Sequence, residues 1–286
     1  MKIFFKDKKS KKANHSPLIE EGEIFQDISG TKSTSLFLGR YTLREAGAVL
    51  KKRNFYREAK KRGLWPIDFE LDSSQYPPLQ RLIIYYKEKK PKNIIVDLKI
   101  REGKFALKGD FPLKTRHSNF LVLEWLTLQN PCLDFEGQKT PLPGQNHPGL
   151  NLGKKVIDLF CYLARLNKNQ GVIAYPAYFH NALLFTRYFD FMSPQKKAEV
   201  EVIKRNFKKM TFKELAWIVH LECLRDREGN IYKWESEEML LPINKEWEDY
   251  FNSRKYRQEV KKAKKRLKYS VDWDCFKKKM KIENKD

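Results

Sequence analysis

Residues 148–164, PGLNLGKKVIDLFCYLA, put a proline and two glycines directly in front of an apolar-periodic run. From Lys154 onward, Val156, Ile157, Phe160, Leu163 and Ala164 fall on one helical face, and NKNQG at 167–171 closes the helix. The glycines have two readings. They punctuate a loop and permit a tight turn, or they leave bare main-chain amides at a helix start. In the second case the N–H groups and the positive end of the helix dipole form a cradle for phosphate oxygens. Lys154 and Lys155 would add charge there.

Upstream, SNFLVLEWLTLQN (118–130) alternates imperfectly, as a strand covered on both faces does. Before it, residues 82–86, 94–100 and 104–107 form three short apolar runs joined by a Lys-Pro turn and an Arg-Glu-Gly turn, which predicts a meander. Further back, Thr42 and Glu45 have capping-box spacing ahead of Leu43, Ala46, Val49 and Leu50, and Gly63 and Pro66 end the region. One helix or a broken helical pair is expected. Between strand and helix runs PCLDFEGQKTPLPGQNHP, a loop long enough to suggest a functional role.

Downstream, GVIAYP reads as a short buried strand, and YFHNALLFTRYFDF as a helix from about Asn181 running into an aromatic strand. TFKELAWIVHLECL (211–224) and the stretch 247–273 are amphipathic and helical, the latter with a seam at Tyr250, Phe251, Val260, Ala263 and Leu267. The expected organisation is a flexible basic arm over 1–35, with at most a short strand at 3–5, an α/β domain over 36–200, and a basic helical extension over 201–286.

With 286 residues, 41% of them hydrophobic, the chain can bury a core, so it is not a disordered protein. Its net charge of +22 fits a polyanionic partner, and equally fits lysines spread over solvated faces. The densest block is RKYRQEVKKAKKRLK, bounded by Arg254 and Lys268, a candidate surface for nucleic acid or an acidic protein. The four cysteines form no close pair, which argues against a zinc ribbon and for a reducing setting. No signal-type segment or run of ~20 apolar residues is present, so a cytoplasmic protein without a membrane span is expected.

The order strand, glycine-bearing loop, amphipathic helix, strand, asparagine, helix, aromatic strand resembles the GCN5-related N-acetyltransferase (GNAT) superfamily over residues 118–191. In that family Gln/Arg-x-x-Gly-x-Gly/Ala opens the central helix. PGLNLG stands in its place here, with Gly153 as the last glycine, Pro148 for Gln or Arg, and Asn151 for the middle glycine. HNALLFTRYFDF looks like the family's Asn-x-x-Ala segment, with Asn181 and Phe191 in corresponding places and Asp190 replacing a glycine. Asn tolerates positive φ, so Asn151 can serve the turn, whereas Pro148 donates no amide.

The resemblance implies a mixed, mostly antiparallel sheet flanked by helices, in the α/β (α+β) class, and a donor that is acetyl-CoA or another acyl-CoA, with no metal. The acyl group would pass directly to an amine, since GxSxG, GxxxxGK[ST] and HExxH are all absent. Cofactor contacts are expected from Leu126 and Leu128 on the strand, from Gly149, Leu150, Asn151, Leu152, Gly153 and Lys154, and from Asn181. The tyrosine that often serves the family as general acid is replaced by Thr186, which leaves Tyr188 as the candidate acid or as a core aromatic. Glu124 is the candidate base, its carboxylate tuned by burial, or else a side chain pointing outward or paired with an arginine such as Arg116. His147 and His180 flank the two ends of this site and suggest a metal pair, and His220 and Cys223, at i,i+3, a chelating pair; against these, no carboxylate spacing supports a metal, and a core histidine is the competing reading for His220.

Overall fold

The computed structural model describes residues 19–21, 34–107, 117–135 and 141–283. Strand β1 (Ile19–Glu21) precedes α1 (Leu43–Lys52) and α2 (Phe55–Lys61). The capping box forms as its spacing requires: the Thr42 hydroxyl accepts from the Glu45 N–H at 3.2 Å, and the Glu45 carboxylate accepts from the Thr42 N–H at 2.8 Å. Asn54, at φ 63°, breaks the run into two helices.

The antiparallel strands β2 (Ile67–Asp72), β3 (Gln80–Tyr86), β4 (Ile94–Leu107) and β5 (His117–Leu128) follow. Here the structure corrects the sequence reading twice. Residues 67–72 form a strand that the reading lacks, and the Arg-Glu-Gly turn at 101–103 does not exist, because β4 runs through it. Tertiary partners hold that stretch extended. Its neighbour β5 pairs with it across residues 101–103, and the Glu102 carboxylate accepts from the side-chain amides of Asn167 and Asn169, each at 2.9 Å.

Next come α3 (Gly153–Leu166), β6 (Gly171–Ala174), α4 (Phe179–Phe185), β7 (Asp190–Phe191) and α5 (Pro194–Asn206). Then α6 (Phe212–His220), β8 (Leu224–Arg225), β9 (Met239–Pro242), α7 (Lys245–Asn252), α8 (Arg254–Arg266), β10 (Ser270–Val271) and α9 (Trp273–Glu283) complete the described chain. The sheet order is β2-β3-β4-β5-β6-β9-β7, with β1 added to the outer half of β4 and β8 pairing with β10 apart from the sheet. It is mixed and mostly antiparallel, and among the described residues its single parallel pair is β5 with β6.

Both faces carry core. Leu121, Leu123 and Val172 point into a cluster with Leu50, Phe55, Val156 and Phe160 from α1, α2 and α3. Phe120, Val122, Ile173 and Leu240 point the other way, onto Ala198 of α5, Trp247 of α7 and Tyr256 and Val260 of α8. Alternation along β5 assigns these side chains to opposite faces, which is why its sequence reads as a continuous apolar run.

The expected boundary at residue 200 falls inside α5, and the chain beyond it supplies β9, an interior strand. The strand expected at 3–5 lies outside the described residues, while β1 lies within the segment read as an arm. The long tail helix is divided at Ser253, whose hydroxyl accepts from the Tyr256 N–H at 3.2 Å and starts α8.

Candidate functional site

The parallel pairing of β5 with β6 spans only four residue pairs, from Phe120↔Gly171 to Leu123↔Ala174. The pairing stops there, where β6 itself ends. In the β4–β5 ladder Lys99 faces Trp125 but Ile100 faces Leu123, so Glu124 is an extra residue, a bulge at the end of the parallel pairing. A bulge bends its strand and adds local twist, and β6 ends opposite it.

Beyond the bulge, the Gln129 N–H donates to Ile95 of β4 at 3.0 Å. Alternation then turns the main-chain groups of Leu126 and Leu128 to the edge that β6 has left. The returning loop takes part of that edge. Leu150 N–H reaches the Leu128 carbonyl at 3.4 Å, and the Asn130 N–H donates to the Pro148 carbonyl at 2.8 Å. Leu126 thus has no ladder partner on that side among the described residues, whereas the Leu128 carbonyl is engaged. Pro148 has a structural task as an acceptor.

The loop ends in an open helix start. Asn151 adopts φ 55°, the left-handed turn expected of it. Leu150 and Leu152 are buried anchors, while Asn151, Gly153, Lys154 and Lys155 are exposed. Leu152 occupies the N-cap position and contributes no side-chain cap. No described residue accepts from the first-turn amides of α3, and a Cβ on Gly153 would meet no atom within 4 Å. Lys155 is spoken for: its ammonium pairs with Glu58 of α2 at 2.8 Å, and with Arg62 it holds the Glu58 carboxyl down at about 2. Lys154 has no ion-pair partner among the described residues.

Glu124 is partly exposed, and its carboxylate accepts from Arg101 Nε at 2.8 Å. The pairing arginine among the described residues is Arg101 on the neighbouring strand; Arg116 lies outside them. Asn181 sits in the first turns of α4, half-buried, its N–H donating to the Tyr178 carbonyl at 3.0 Å. Tyr188 and Thr186 lie at the far end of α4, both exposed, and no described hydrogen bond or ring contact joins Tyr188 to the β5 edge. The place expected for the family's acid is therefore on the surface.

The sequence reading passed over another tyrosine, Tyr178, close to the end of β6 in sequence. Tyr178 follows the end of β6 by four residues, caps α4 and stacks on His180 with ring centroids 5.3 Å apart. Its hydroxyl packs against Gly144 of the long loop, where a Cβ would lie 2.4 Å away, so only glycine fits at that point, which has φ 75°. The Trp217 indole N–H donates to the Pro141 carbonyl at 2.9 Å and pins the same loop to α6.

The histidines do not assemble as a metal pair. His147 Nδ1 lies 3.1 Å from the Leu133 carbonyl and 3.6 Å from Asp134, while His180 is buried against Tyr178 and Phe212. His220 is exposed, not a core histidine, and packs on Tyr178 and Trp217. Cys223 turns instead to Cys275, with the sulfurs 3.3 Å apart. Among the described residues no three His, Cys, Asp or Glu side chains converge as metal ligands.

Burial, with the neighbouring His220 charge second, pulls the His180 pKa down to about 4. The unfolded chain, near 6.5, binds the extra proton between these values, so stability is full above pH 6.5 and falls as pH drops towards 4. The loss is expected to reach about 3 kcal/mol by the 1.36 kcal/mol per unit conversion. Denaturant titrations of the protein and of His180→Phe across this range check it: the variant should show a shallower fall.

The fold is the mixed α/β one expected, a mostly antiparallel sheet flanked by helices. Three solved structures are similar to the chain. A chain of the KacTA-DNA complex matches at 9% identity with a TM-score of 0.30, over 78% of this chain and 96% of that one. A point variant of KacT matches at 12% and 0.30, over 80% and 96%. AtaTR bound with AcCoA matches at 11% and 0.27, over 61% and 86%. No family model and no curated protein matches the chain. At such TM-scores the likeness is distant, and the case for a ligand rests on this chain's own residues. No helix among the described residues is long and apolar enough to cross a membrane.

Proposed function

We propose that the protein is an acyl-CoA-dependent N-acyltransferase. The observation that carries this is the wedge: a parallel pairing that ends at the Glu124 bulge, next to a helix start whose amides have no acceptor among the described residues. Convergent N–H donors with the positive helix end suit a diphosphate, and a free strand edge at Leu126 suits an amide-bearing arm, which pairs with a strand as another strand would. Gly149, Leu150, Asn151, Leu152, Gly153 and Lys154 would hold the phosphates, Leu126 and Leu128 the arm, and Asn181 its other side.

The chemistry is direct transfer. The amine nitrogen attacks the thioester carbonyl, the C–N bond forms, the C–S bond breaks, and the amine proton passes to Glu124. The thiolate leaves and takes a proton from a tyrosine hydroxyl or water. Glu124 suits the basic role because Arg101 fixes one carboxylate oxygen while the other makes no bond among the described residues. Tyr188 on the surface is a weaker acid candidate than Tyr178. A base of this kind supplies about 10²–10⁴ in rate.

The test is a thermal shift with acetyl-CoA, desulfo-CoA and adenine nucleotides, followed by turnover with an amine panel. A ligand that binds the native state at 100 times its Kd stabilises it by about 2.7 kcal/mol. Glu124→Gln should keep the shift and lose at least about 100-fold in kcat. Absence of any shift with every CoA compound would refute the proposal.

A second use of the surface is favoured by one observation. A hollow of about 290 Å³ at the start of α8 is lined by Arg254, Arg257 and Lys261 with Asn252 and Gln258, and by no carboxylate. It suits phosphate groups of a nucleic acid. Three neutralised phosphates give a log-log salt slope near −3, so affinity for an oligonucleotide should fall about 40-fold between 50 and 200 mM salt. Fluorescence anisotropy checks this, and a flat salt response would remove the reading.

A further inference from the structure

The layer of α1, α2 and α3 does not close fully on the sheet. A cavity of about 60 Å³ remains between them. Leu50 and Phe55 from the helical pair, Leu98 from β4, Leu126 from β5, and Leu152 and Phe160 around α3 contribute to its wall, and its lining is apolar except for Arg53 and Lys155. Both cations have other business, Arg53 over the Tyr162 ring at 4.5 Å and Lys155 on Glu58. Water finds no partners in such a space, which therefore stays dry.

Two residues tie the cavity to the wedge. Leu126 gives its side chain to the cavity wall while its main chain lies at the edge that β6 has left. Leu152 lines the cavity and is also the last residue before the open helix start. A thioester arm lying along Leu126 would have an empty apolar space beside it.

We propose that this cavity receives the first methylenes of an acyl chain longer than acetyl, so that the preferred donor is a short-chain acyl-CoA of butanoyl size. The proposal rests on the acyltransferase reading above. Size sets the chain length: a cavity of about 150 Å³ takes the six carbons of benzene, and in proportion about 60 Å³ takes two or three. Acetyl leaves the cavity empty, and its lining then lacks contact partners on one side. Each buried methylene is worth about 0.8 kcal/mol, or about fourfold in affinity. Two of them give butanoyl-CoA about a 15-fold advantage over acetyl-CoA.

The experiment is calorimetric titration of the full chain with CoA, acetyl-CoA, butanoyl-CoA and octanoyl-CoA, repeated on Val96→Leu and Val96→Phe, which fill the cavity from β4 to different degrees, and on Leu98→Ala, which enlarges it. Folding of each variant is read from its unliganded melting temperature. If Val96→Phe fails to fold, Val96→Leu carries the comparison. The expected result is tighter binding of butanoyl-CoA than acetyl-CoA, loss of that advantage on filling with CoA affinity unchanged, and a shift of the optimum to longer chains on enlargement. Equal affinity for acetyl-CoA and butanoyl-CoA, or an advantage that survives filling, overturns the cavity proposal and leaves the acyltransferase reading standing. Failure of CoA itself to bind overturns both.

Discussion

Gly153→Glu is expected to fold as the parent does and to lose acetyl-CoA. The substitution has room, because a Cβ there meets nothing within 4 Å and the position has no left-handed φ. It should even stabilise the helix slightly. Replacing glycine improves helix propensity by up to about 1 kcal/mol, and an acidic side chain in the first turn of a helix is favourable by about 0.3–1 kcal/mol. The same carboxylate would stand in front of the amides proposed to hold the diphosphate. Like charge and lost space together should lower acetyl-CoA affinity by at least about 100-fold, a loss of about 2.7 kcal/mol. The readout is two melting curves for each protein, without and with acetyl-CoA: the free variant melts at or above the parent, and its ligand shift vanishes. A full shift in the variant places the phosphates elsewhere and removes the wedge as the site.

The largest stability effect is expected from Trp247→Ala. Trp247 on α7 is 1% exposed and lies edge-on to Phe120 of β5 at 5.6 Å and to Tyr250 at 5.9 Å. Truncating a buried tryptophan to alanine removes its transfer energy and leaves a cavity, which costs about 3–5 kcal/mol. That is a large share of the about 5–15 kcal/mol that holds a typical domain folded. In a urea titration the midpoint should fall steeply with the slope unchanged. A loss below about 1 kcal/mol would mean that the chain after residue 200 is an appendage with little part in the core. The place of β9 between β6 and β7, with Leu240 and Trp247 in one cluster, leads us to expect the opposite.

The helix start beside the wedge was legible in a few letters. Asn151 reads as a turn residue and adopts the left-handed turn; Val156, Ile157, Phe160, Leu163 and Ala164 read as one helical face and are buried. Thr42 and Glu45 cap α1 by reciprocal local bonds, which spacing alone specifies. Other features were not legible, because their causes are distant in sequence. Glu124 finds Arg101, 23 residues away, only once β4 and β5 are in register. Residues 101–103 look like a turn and are strand, since Glu102 is drawn to Asn167 and Asn169. Tyr178 is one aromatic among many until Gly144 closes on its ring.

By itself the sequence determined the elements whose signals are local: the periodic α3 face, the capped helix starts, the left-handed turn at Asn151, and the alternating or continuous apolar runs of the strands. Their signals survive because capping and hydrophobic periodicity act within one or two turns. Only the tertiary structure decided that the β5–β6 pairing ends at the Glu124 bulge, that residues 239–242 enter the sheet between β6 and β7, and that a cavity lies under Leu126. Those features depend on strand register and on how well layers of side chains fill space, and both are set by partners that the chain meets only after it has folded.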